Sequence, residues 1–538
     1  MLRFAAALSR SERIALIAFA AVSLVLRSIA FFHYRFDSDE PQHLHVAWGW
    51  TVGLVQYRDL FDNHAPLFHI ASAPLLRLLG ERSNILFFMR AAMLPLFAIV
   101  VLCTYLIGKR LYSQTVGLWA AVLLSLFPPF FLKSLEYRTD NLWNTLWIVA
   151  LAILILKPPS AFRWFLAGLL LGAAMAVSLK TILLVVTLAG AGLITRTTLR
   201  DRTSIGRPIA AAAAGLTIVP AIVALYFVSL GAWSNLVYCV FEFNTLIERV
   251  RPHVAIERIL WPFAIAAIVL MARRSTQRDL PRMFCAAAFA VFMVTLAAFW
   301  ILISPRDMLP MMPIGAIFAV SVIDRLDDRL IVRTATAVAL IVPLYYYANR
   351  FENRTDAFVT MMNQVLRLTR PDEPIMDFKG ETIYRRRPYY YIFEAITHEA
   401  MEKNLLPDRV PEAVIAARCY VAQADGSIFP PRARAFLNAN FMDLGRLRAA
   451  GQWIAADGTF SIAVPGRYVI IDEIGEAIGS LDGSIYEGSQ EMTAGPHRFQ
   501  RAKTDERLAV LWAPAFERGF SPFHLQDRNF RYRGRRSR

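Results

Sequence analysis

Residues 14–32 read IALIAFAAVSLVLRSIAFF, and residues 36–45, FDSDEPQHLH, follow after a three-residue step. The first stretch is about as long as the ~20 apolar residues that cross a bilayer as a helix. Arg3, Arg10 and Arg13 precede it. A cleaved export signal would end in a small-residue site, but Arg35-Phe36-Asp37 follows instead. The run therefore reads as a first membrane-spanning helix that opens onto an acidic loop.

Working outward, the same reading applies at 85–107, 116–132, 142–156, 164–178, 181–194, 209–230, 259–271, 283–303, 309–323 and 335–347. With 14–32 this makes about eleven spans. Composition agrees: 56% of the 538 residues are hydrophobic and 19% are charged, and mean hydropathy is +0.41. Ordinary soluble chains carry about 25% charged residues.

Basic residues then orient the helices, because cytoplasmic loops are enriched in Lys and Arg. With the N-terminus cytoplasmic, one set of loops holds Lys109, Arg110, Lys157, Arg163, Arg196, Arg200, Arg202, Arg207, Arg273, Arg274, Arg278, Arg282, Arg325, Arg329 and Arg333. The opposite short loops hold only Lys133, Arg138, Arg249, Arg251 and Arg306. The alternation places the loop 33–84 and the chain from residue 348 onward outside the cytoplasm.

The net charge of +16 is absorbed by these topogenic loops and by a basic run at Arg531, Arg533, Arg535, Arg536 and Arg538. That pattern argues for a bilayer partner and against nucleic acid. Of the four cysteines, Cys103 and Cys285 fall inside apolar blocks, while Cys239 and Cys419 fall on the outer side, where a disulfide between them is compatible with the topology.

Two domains are expected: a membrane domain at 1–348 with its outer loop at 33–84, and an extracytoplasmic domain at 349–538. The second has ordinary composition, a helical stretch at 432–438 and β-like runs at 460–464, 468–471 and 508–512. It reads as α/β followed by a small β-sandwich-like unit.

The outer loop 33–84 concentrates chemistry. It holds Asp39, Glu40, Trp48, Trp50, Tyr57, Arg58, Asp59, Asp62, Asn63 and His64. Carboxylates can abstract a proton and aromatic rings can stack on a sugar face. An acid without a duty at a membrane edge is costly, which favours a functional Asp39 and Glu40 over solvated ones. Asp140 reads equally as a site residue or a helix N-cap. Lys180 faces a cavity if the runs around it are re-entrant, and is interfacial if they are two spans. Arg306 reads as a site cation or as the mark of a membrane boundary. Trp48 and Trp50 read most simply as interface anchors, and Arg385-Arg386-Arg387 with Tyr389-Tyr390-Tyr391 as a solvated charged edge. Five of the nine histidines, His33, His43, His45, His64 and His69, crowd this loop. Asp39 and His43 at i, i+4 share a helix face, the simplest geometry for a bridging metal, although hydrogen-bonding histidines are commoner than ligands.

Asp39-Glu40 followed by 53–67, GLVQYRDLFDNHAPL, resembles the first outer loop of GT-C glycosyltransferases. The nearest group is glycosyltransferase family 39 with its bacterial relatives, among them the aminoarabinose transferases that modify lipid A and the rhizobial galacturonosyltransferases. Glu136-Tyr137-Arg138-Thr139-Asp140-Asn141 resembles the family's second acidic motif, 168–181 its Gly-rich helix ending in a lysine, and Pro305-Arg306-Asp307-Met308-Leu309-Pro310-Met311-Met312-Pro313 its late Pro-rich segment. Met308 stands where tyrosine is usual. The resemblance covers 14–323.

The resemblance implies an all-α polytopic GT-C membrane domain in a bacterial inner membrane, with the C-terminal domain periplasmic. It implies an inverting transfer from a polyprenyl-phosphate sugar to a lipid, glycan or protein acceptor. Asp39 would be the base and Glu40 would orient Asp39 or the acceptor. Donor binding would fall to Tyr57, Arg58, Asp59, Arg138, Asp140, Lys180 and Arg306, with Arg90 a further cation. A divalent metal is compatible with the family. Two other classes suit a polytopic chain: a transporter or flippase of lipid-linked sugars, and a non-catalytic envelope assembly protein. A transporter should carry mid-membrane polar residues on paired broken helices, whereas here the acids gather in outer loops.

Overall fold

The computed structural model describes residues 8–199, 205–250, 279–300, 303–424, 428–501 and 507–525. The expected span at 259–271 and the basic run after residue 530 lie outside them. The chain forms two compact units. The first comprises Met1–His43, Asn63–Pro74 and Leu86–Thr355; the second comprises Leu44–Asp62, Leu75–Ile85 and Asp356–Arg538.

The first unit is helical. Its elements are α1 (Arg10–His33), the start of α2 (Asp39–Thr51), the start of α3 (Leu67–Leu79), α4 (Ile85–Ala91), α5 (Leu94–Leu111), α6 (Gln114–Leu126), α7 (Pro128–Lys133), α8 (Thr139–Leu156), α9 (Ala161–Val177), α10 (Thr181–Leu199) and α11 (Gly206–Ser229). Further helices include Leu280–Phe299, Met312–Ile323 and Arg329–Tyr347. Among the described residues seven helices are long and apolar enough to cross a membrane: Arg10–His33, Ile85–Leu111, Thr139–Leu156, Thr181–Leu199, Gly206–Ser229, Leu280–Phe299 and Arg329–Tyr347. The expected spans at 116–132, 164–178 and 309–323 correspond to shorter apolar helices, Gln114–Leu126, Ala161–Val177 and Leu309–Ile323. Leu67–Leu79 is a further short apolar helix, inside the expected outer loop. Ile17, Leu24, Leu225, Phe299 and Ile331 are exposed on these helices, as lipid-facing side chains must be.

Local chemistry sets the helix ends and their packing. Ser9 and Ser113 accept from the backbone N–H of Glu12 and Val116 at 3.1 Å, capping α1 and α6. Arg27, a charge inside the first apolar run, is buried. It donates to the carbonyls of Phe131 and Ser134 and to the Ser134 hydroxyl at 2.9–3.3 Å. The cation thus satisfies carbonyls left open at the end of α7. The glycines of the 168–181 motif have a packing role. A Cβ on Gly168 or Gly172 would strike the backbone of Ala212 or Leu216 in α11, and one on Gly215 the backbone of Phe165 and Leu169 in α9. Small residues let α9 and α11 approach closely, which substitutes for a hydrophobic drive inside lipid.

The described residues of the second unit hold eleven short strands. β1 (Ile375–Met376), β2 (Val421–Gln423), β4 (Leu447–Trp453), β11 (Ala509–Trp512), β6 (Gly466–Ile471) and β9 (Gln490–Met492) form one sheet in that order, with β3 (Phe441–Asp443) added on β4. Among the described strands only β1 and β2 pair in parallel. A second sheet runs β5 (Thr459–Ile462), β10 (Gly495–Arg501), β7 (Gly479–Leu481) and β8 (Ser484–Ile485). The helical stretch expected at 432–438 is Pro431–Asn440.

Several readings of loop residues change in this unit. Arg385 and Arg387 are buried side chains, not a solvated edge. Arg385 pairs with Glu81 at 3.0 Å, and Arg387 pairs with buried Asp377 at 2.7 Å and donates to the carbonyls of Phe378 and Tyr391. Trp48 is core, stacked on His45 at 5.4 Å, and is no interface anchor. His45 Nδ1 bonds to the Ile383 carbonyl at 2.7 Å, and its ring fills the space a Cβ on Gly380 would need. Cys239 and Cys419 form no disulfide, each being fully buried within its own unit.

Candidate active site

The site of the first unit is assembled from five chain segments. α1 delivers residues 34–37, α2 opens with Asp39 and Glu40, the α7–α8 turn supplies residues 133–140, and the α9–α10 break and residues 304–307 complete it. Each segment carries charge because each lies between apolar helices.

Arg138 is the hub. Its Nη1 donates to Asp37 at 3.0 Å and to Asp39, and its Nε donates to Asp140 at 3.2 Å. Arg306 pairs with Asp37 at 2.7 Å and with Glu136 at 3.1 Å. Lys180 reaches Asp140 at 3.1 Å and Asp307 at 2.5 Å, with the rings of Trp143 and Trp300 within 6 Å. Lys133 holds Glu136 at 2.7 Å.

Asp140 lies in the first turn of α8 but makes no capping bond there; its carboxylate is committed to Arg138 and Lys180. Lys180 sits in the break between two successive helices, α9 and α10, with its ammonium paired to Asp140 and Asp307. Arg306 is an ion-pair member, not merely a boundary marker.

Glu40 differs from its neighbour. It is fully buried, and every oxygen is engaged: Oε1 by Arg90 at 2.5 Å and the Asp37 N–H at 2.8 Å, Oε2 by Arg90 at 2.8 Å and the Tyr137 N–H at 2.9 Å. Arg90 also donates to the carbonyls of Tyr34 and Arg35. Glu40 therefore ties α1, α2, α4 and the α7–α8 turn together. The side chain of Asp39 is 24% exposed, against 11% for Asp37 and 6% for Asp140. Of these three carboxylates partnered by Arg138, Asp39 has most room to meet a reactant.

Electrostatics follow from the packing. Burial and the nearby Asp39 raise the Asp37 carboxyl, but Arg306, Arg138 and Lys133 outweigh them and hold it at about 2. Burial raises Glu136, and Asp37 adds to that against the pull of Arg306, Lys133 and Arg138. Burial lowers Arg138, but Asp39, Asp140, Asp37 and Glu136 carry it well above its ordinary value. Lys180 is likewise raised by Asp140 and Asp307 against burial. The cations stay charged throughout the physiological range, ready for an anion.

Among the sequence-derived candidates, Asp39, Glu40, Arg138, Asp140, Lys180 and Arg306 are brought together here. Tyr57, Arg58 and Asp59 belong to the second unit. Arg58 is exposed and forks onto its neighbour Asp59 at 3.0 Å. Tyr57 is fully buried in a left-handed backbone conformation, φ 74°, and its carbonyl accepts from Tyr390. Asp37, Glu136 and Asp307 were not singled out, although each buried acid beside a membrane calls for a cation. Asp39 pairs with Arg138, and His43 Nδ1 lies 3.0 Å from His69 Nε2. No group of three or more His, Cys, Asp or Glu that could hold a metal occurs among the described residues.

The helical unit with its multi-residue acid–cation cluster, and the strand-rich second unit, define a fold class that solved structures share. The family model described as dolichyl-phosphate-mannose-protein mannosyltransferase matches residues 63–227. The fold is similar to that of ArnT from Cupriavidus metallidurans in the apo state, with a TM-score of 0.59 and 12% identity over 80% of this chain and 97% of that one. ArnT bound to undecaprenyl phosphate gives a TM-score of 0.53 with the same identity and coverage. The apo oligosaccharyltransferase of Archaeoglobus fulgidus gives 0.50 with 12% identity over 90% of this chain and 76% of that one. No curated protein matches the chain.

Proposed function

We propose that the chain transfers a sugar, with inversion, from a polyprenyl-phosphate carrier to a hydroxyl of an envelope acceptor. The reaction takes place on the extracytoplasmic face of a bacterial inner membrane, with the N-terminus cytoplasmic and the C-terminal domain periplasmic. The observation that carries the reading is Arg138, bonded at once to Asp37, Asp39 and Asp140. One guanidinium beside the most open carboxylate is what a single-displacement transfer from a phosphate requires. The ArnT structure with undecaprenyl phosphate supports a lipid-phosphate donor.

In this reading the donor phosphate takes Arg138, Arg306 and Lys180 as partners, and these cations stabilise the charge that grows on the leaving phosphate. When the phosphate takes Arg138, Asp39 is released from its ion pair. Asp39 then accepts the proton of the acceptor hydroxyl as that oxygen attacks the anomeric carbon from the face opposite the phosphate. The C1–O bond to phosphate breaks as the new glycosidic bond forms. Asp37 and Asp140 hold the cations in place, and Glu40 positions α2 through Arg90.

The test is mass spectrometry of envelope lipids and glycans. The strains lack the gene, or lack it and carry wild type or Asp39→Asn at equal protein level. One sugar-bearing species should vanish on deletion, return with wild type and stay absent with Asp39→Asn. Full restoration by Asp39→Asn would remove Asp39 as base and bring a transport or assembly role forward.

A further inference from the structure

A buried imidazole group stands on the helix that carries Asp39. His43 follows Asp39 by four residues in α2, so the two share a face one turn apart. His43 is fully buried. Its Nδ1 lies 3.0 Å from Nε2 of His69, also fully buried. The ring of His64, which is half-buried, meets it edge-on with centroids 4.6 Å apart. Phe68 closes another side at 5.9 Å.

The Nδ1–Nε2 contact demands that one ring donate and the other accept, so the tautomers of His43 and His69 are tied together. The other nitrogen of His43, Nε2, is buried without a hydrogen-bond partner. A buried polar atom in that state is rare and calls for a reason. The reaction proposed above supplies one. Asp39 gains a proton at each turnover and must lose it before the next, while the acceptor covers its open side.

We infer that His43 is the exit for that proton, with His69 and His64 as the path beyond it; the inference rests on Asp39 being the base. The Asp39 O–H bond breaks as the His43 Nε2–H bond forms. His43 then gives its Nδ1 proton to Nε2 of His69, which restores neutral His43. His69 releases its own Nδ1 proton toward half-buried His64 and water. No redox change is involved: each ring ends with the number of protons it began with, now carried on Nε2, and rotation of the rings returns the protonated nitrogen to its starting place before the next turnover. His43 thus acts through Asp39 and does not touch the reacting atoms.

The groups that face His43 are Asp39 on its own helix, Arg138 before α8, and His64 and His69 on the following segment. Burial first, then His64, His69 and Arg138, hold His43 well below the ordinary imidazole value, and Asp39 opposes them. A ring that rests neutral and gives up protons readily suits transfer, not storage.

The experiment measures the rate at which the sugar-bearing envelope species appears after induced expression in the deletion strain. It is run across external pH, with and without imidazole, for wild type, His43→Gln, His43→Ala and Asp39→Asn. Membrane protein amount is measured in parallel. His43→Gln should slow product formation per enzyme by about tenfold or more, with a rate that rises with pH as water becomes the sink. Imidazole should restore His43→Ala in proportion to its concentration and leave Asp39→Asn inactive. If both His43 variants match wild type per enzyme at every pH, or lose only protein amount with no response to imidazole, the relay is wrong. When Asp39→Asn is inactive in that same set, only the relay falls. If Asp39→Asn makes product like wild type, the base assignment falls and the relay with it.

Discussion

The guanidinium of Arg138 and the carboxylate of Asp39 form a direct ion pair across 99 residues of sequence. Nη1 of the same guanidinium holds Asp37, and its Nε holds Asp140. Lysine offers a point charge and cannot serve three carboxylates from one plane. Arg138→Lys should therefore retain the protein in the membrane but cut product formation by about a hundredfold or more, the loss typical of one transition-state donor. Arg138→Gln leaves three buried or half-buried acids without their shared cation and should also reduce the yield of folded protein.

Lys180 is raised in pKa by Asp140 and Asp307, so its charge persists across the physiological range. Lys180→Met keeps the length of the stem and removes the charge. The affinity of the purified protein for undecaprenyl phosphate should fall by about tenfold or more, consistent with loss of one charge-assisted contact. The thermal midpoint should fall as well, since Asp140 retains Arg138 but buried Asp307 loses its cation. Unchanged affinity would take Lys180 out of the phosphate site.

Glu40 and Arg90 are both fully buried and bonded to each other. Breaking such a pair on one side strands the other charge and costs about 3–5 kcal/mol. Glu40→Gln should lower the thermal midpoint in detergent strongly. The double variant Glu40→Gln, Arg90→Met should recover part of that loss, because no charge is left buried alone. A double variant no better than the single would show that the pair is not the origin of the effect.

Asp37 provides a pH signature. Its carboxyl is pushed up by burial and Asp39 but held at about 2 by Arg306, Arg138 and Lys133. Its folded value lies below the unfolded value of about 3.9. Its contribution to stability is therefore complete above about pH 4 and is lost as pH falls toward about 2. Thermal midpoints measured from neutral pH downward should show a step in that window. The step should be absent in Asp37→Asn, which should also be less stable at neutral pH.

Gly168 in α9 faces the backbone of Ala212 in α11, and a Cβ there would collide with it. Gly168→Val should force these helices apart and reduce the amount of folded membrane protein. Gly192, whose Cβ would meet nothing, should accept alanine without loss. Expression with size-exclusion chromatography separates the two outcomes.

Much of this architecture was legible in the chain itself. A bilayer sets a minimum apolar length, and that length is a local property, so the apolar helices from 14–32 to 335–347 could be read directly wherever the structure describes them, although 116–132, 164–178 and 309–323 fall on helices shorter than a span. The strands at 460–464, 468–471 and 508–512 were visible through short β-favouring runs between turn residues, whereas β4 and β10, with their Gly, Arg and Gln, were not. Motif order along the chain also brought Asp39, Glu40, Arg138, Asp140, Lys180 and Arg306 forward as one set of candidates. What spacing could not carry was the division of labour among them. Whether an acid is spent or open depends on which cation approaches from another helix, and that is a matter of three-dimensional packing. Adjacent in sequence, Glu40 is sealed by Arg90 while Asp39 keeps a quarter of its side chain exposed. Arg385 and Arg387 look like a solvated run, yet Glu81 and Asp377 draw them inside. Ion pairs formed across tens to hundreds of residues are decided by the fold, because burial makes a charge costly until a distant partner satisfies it.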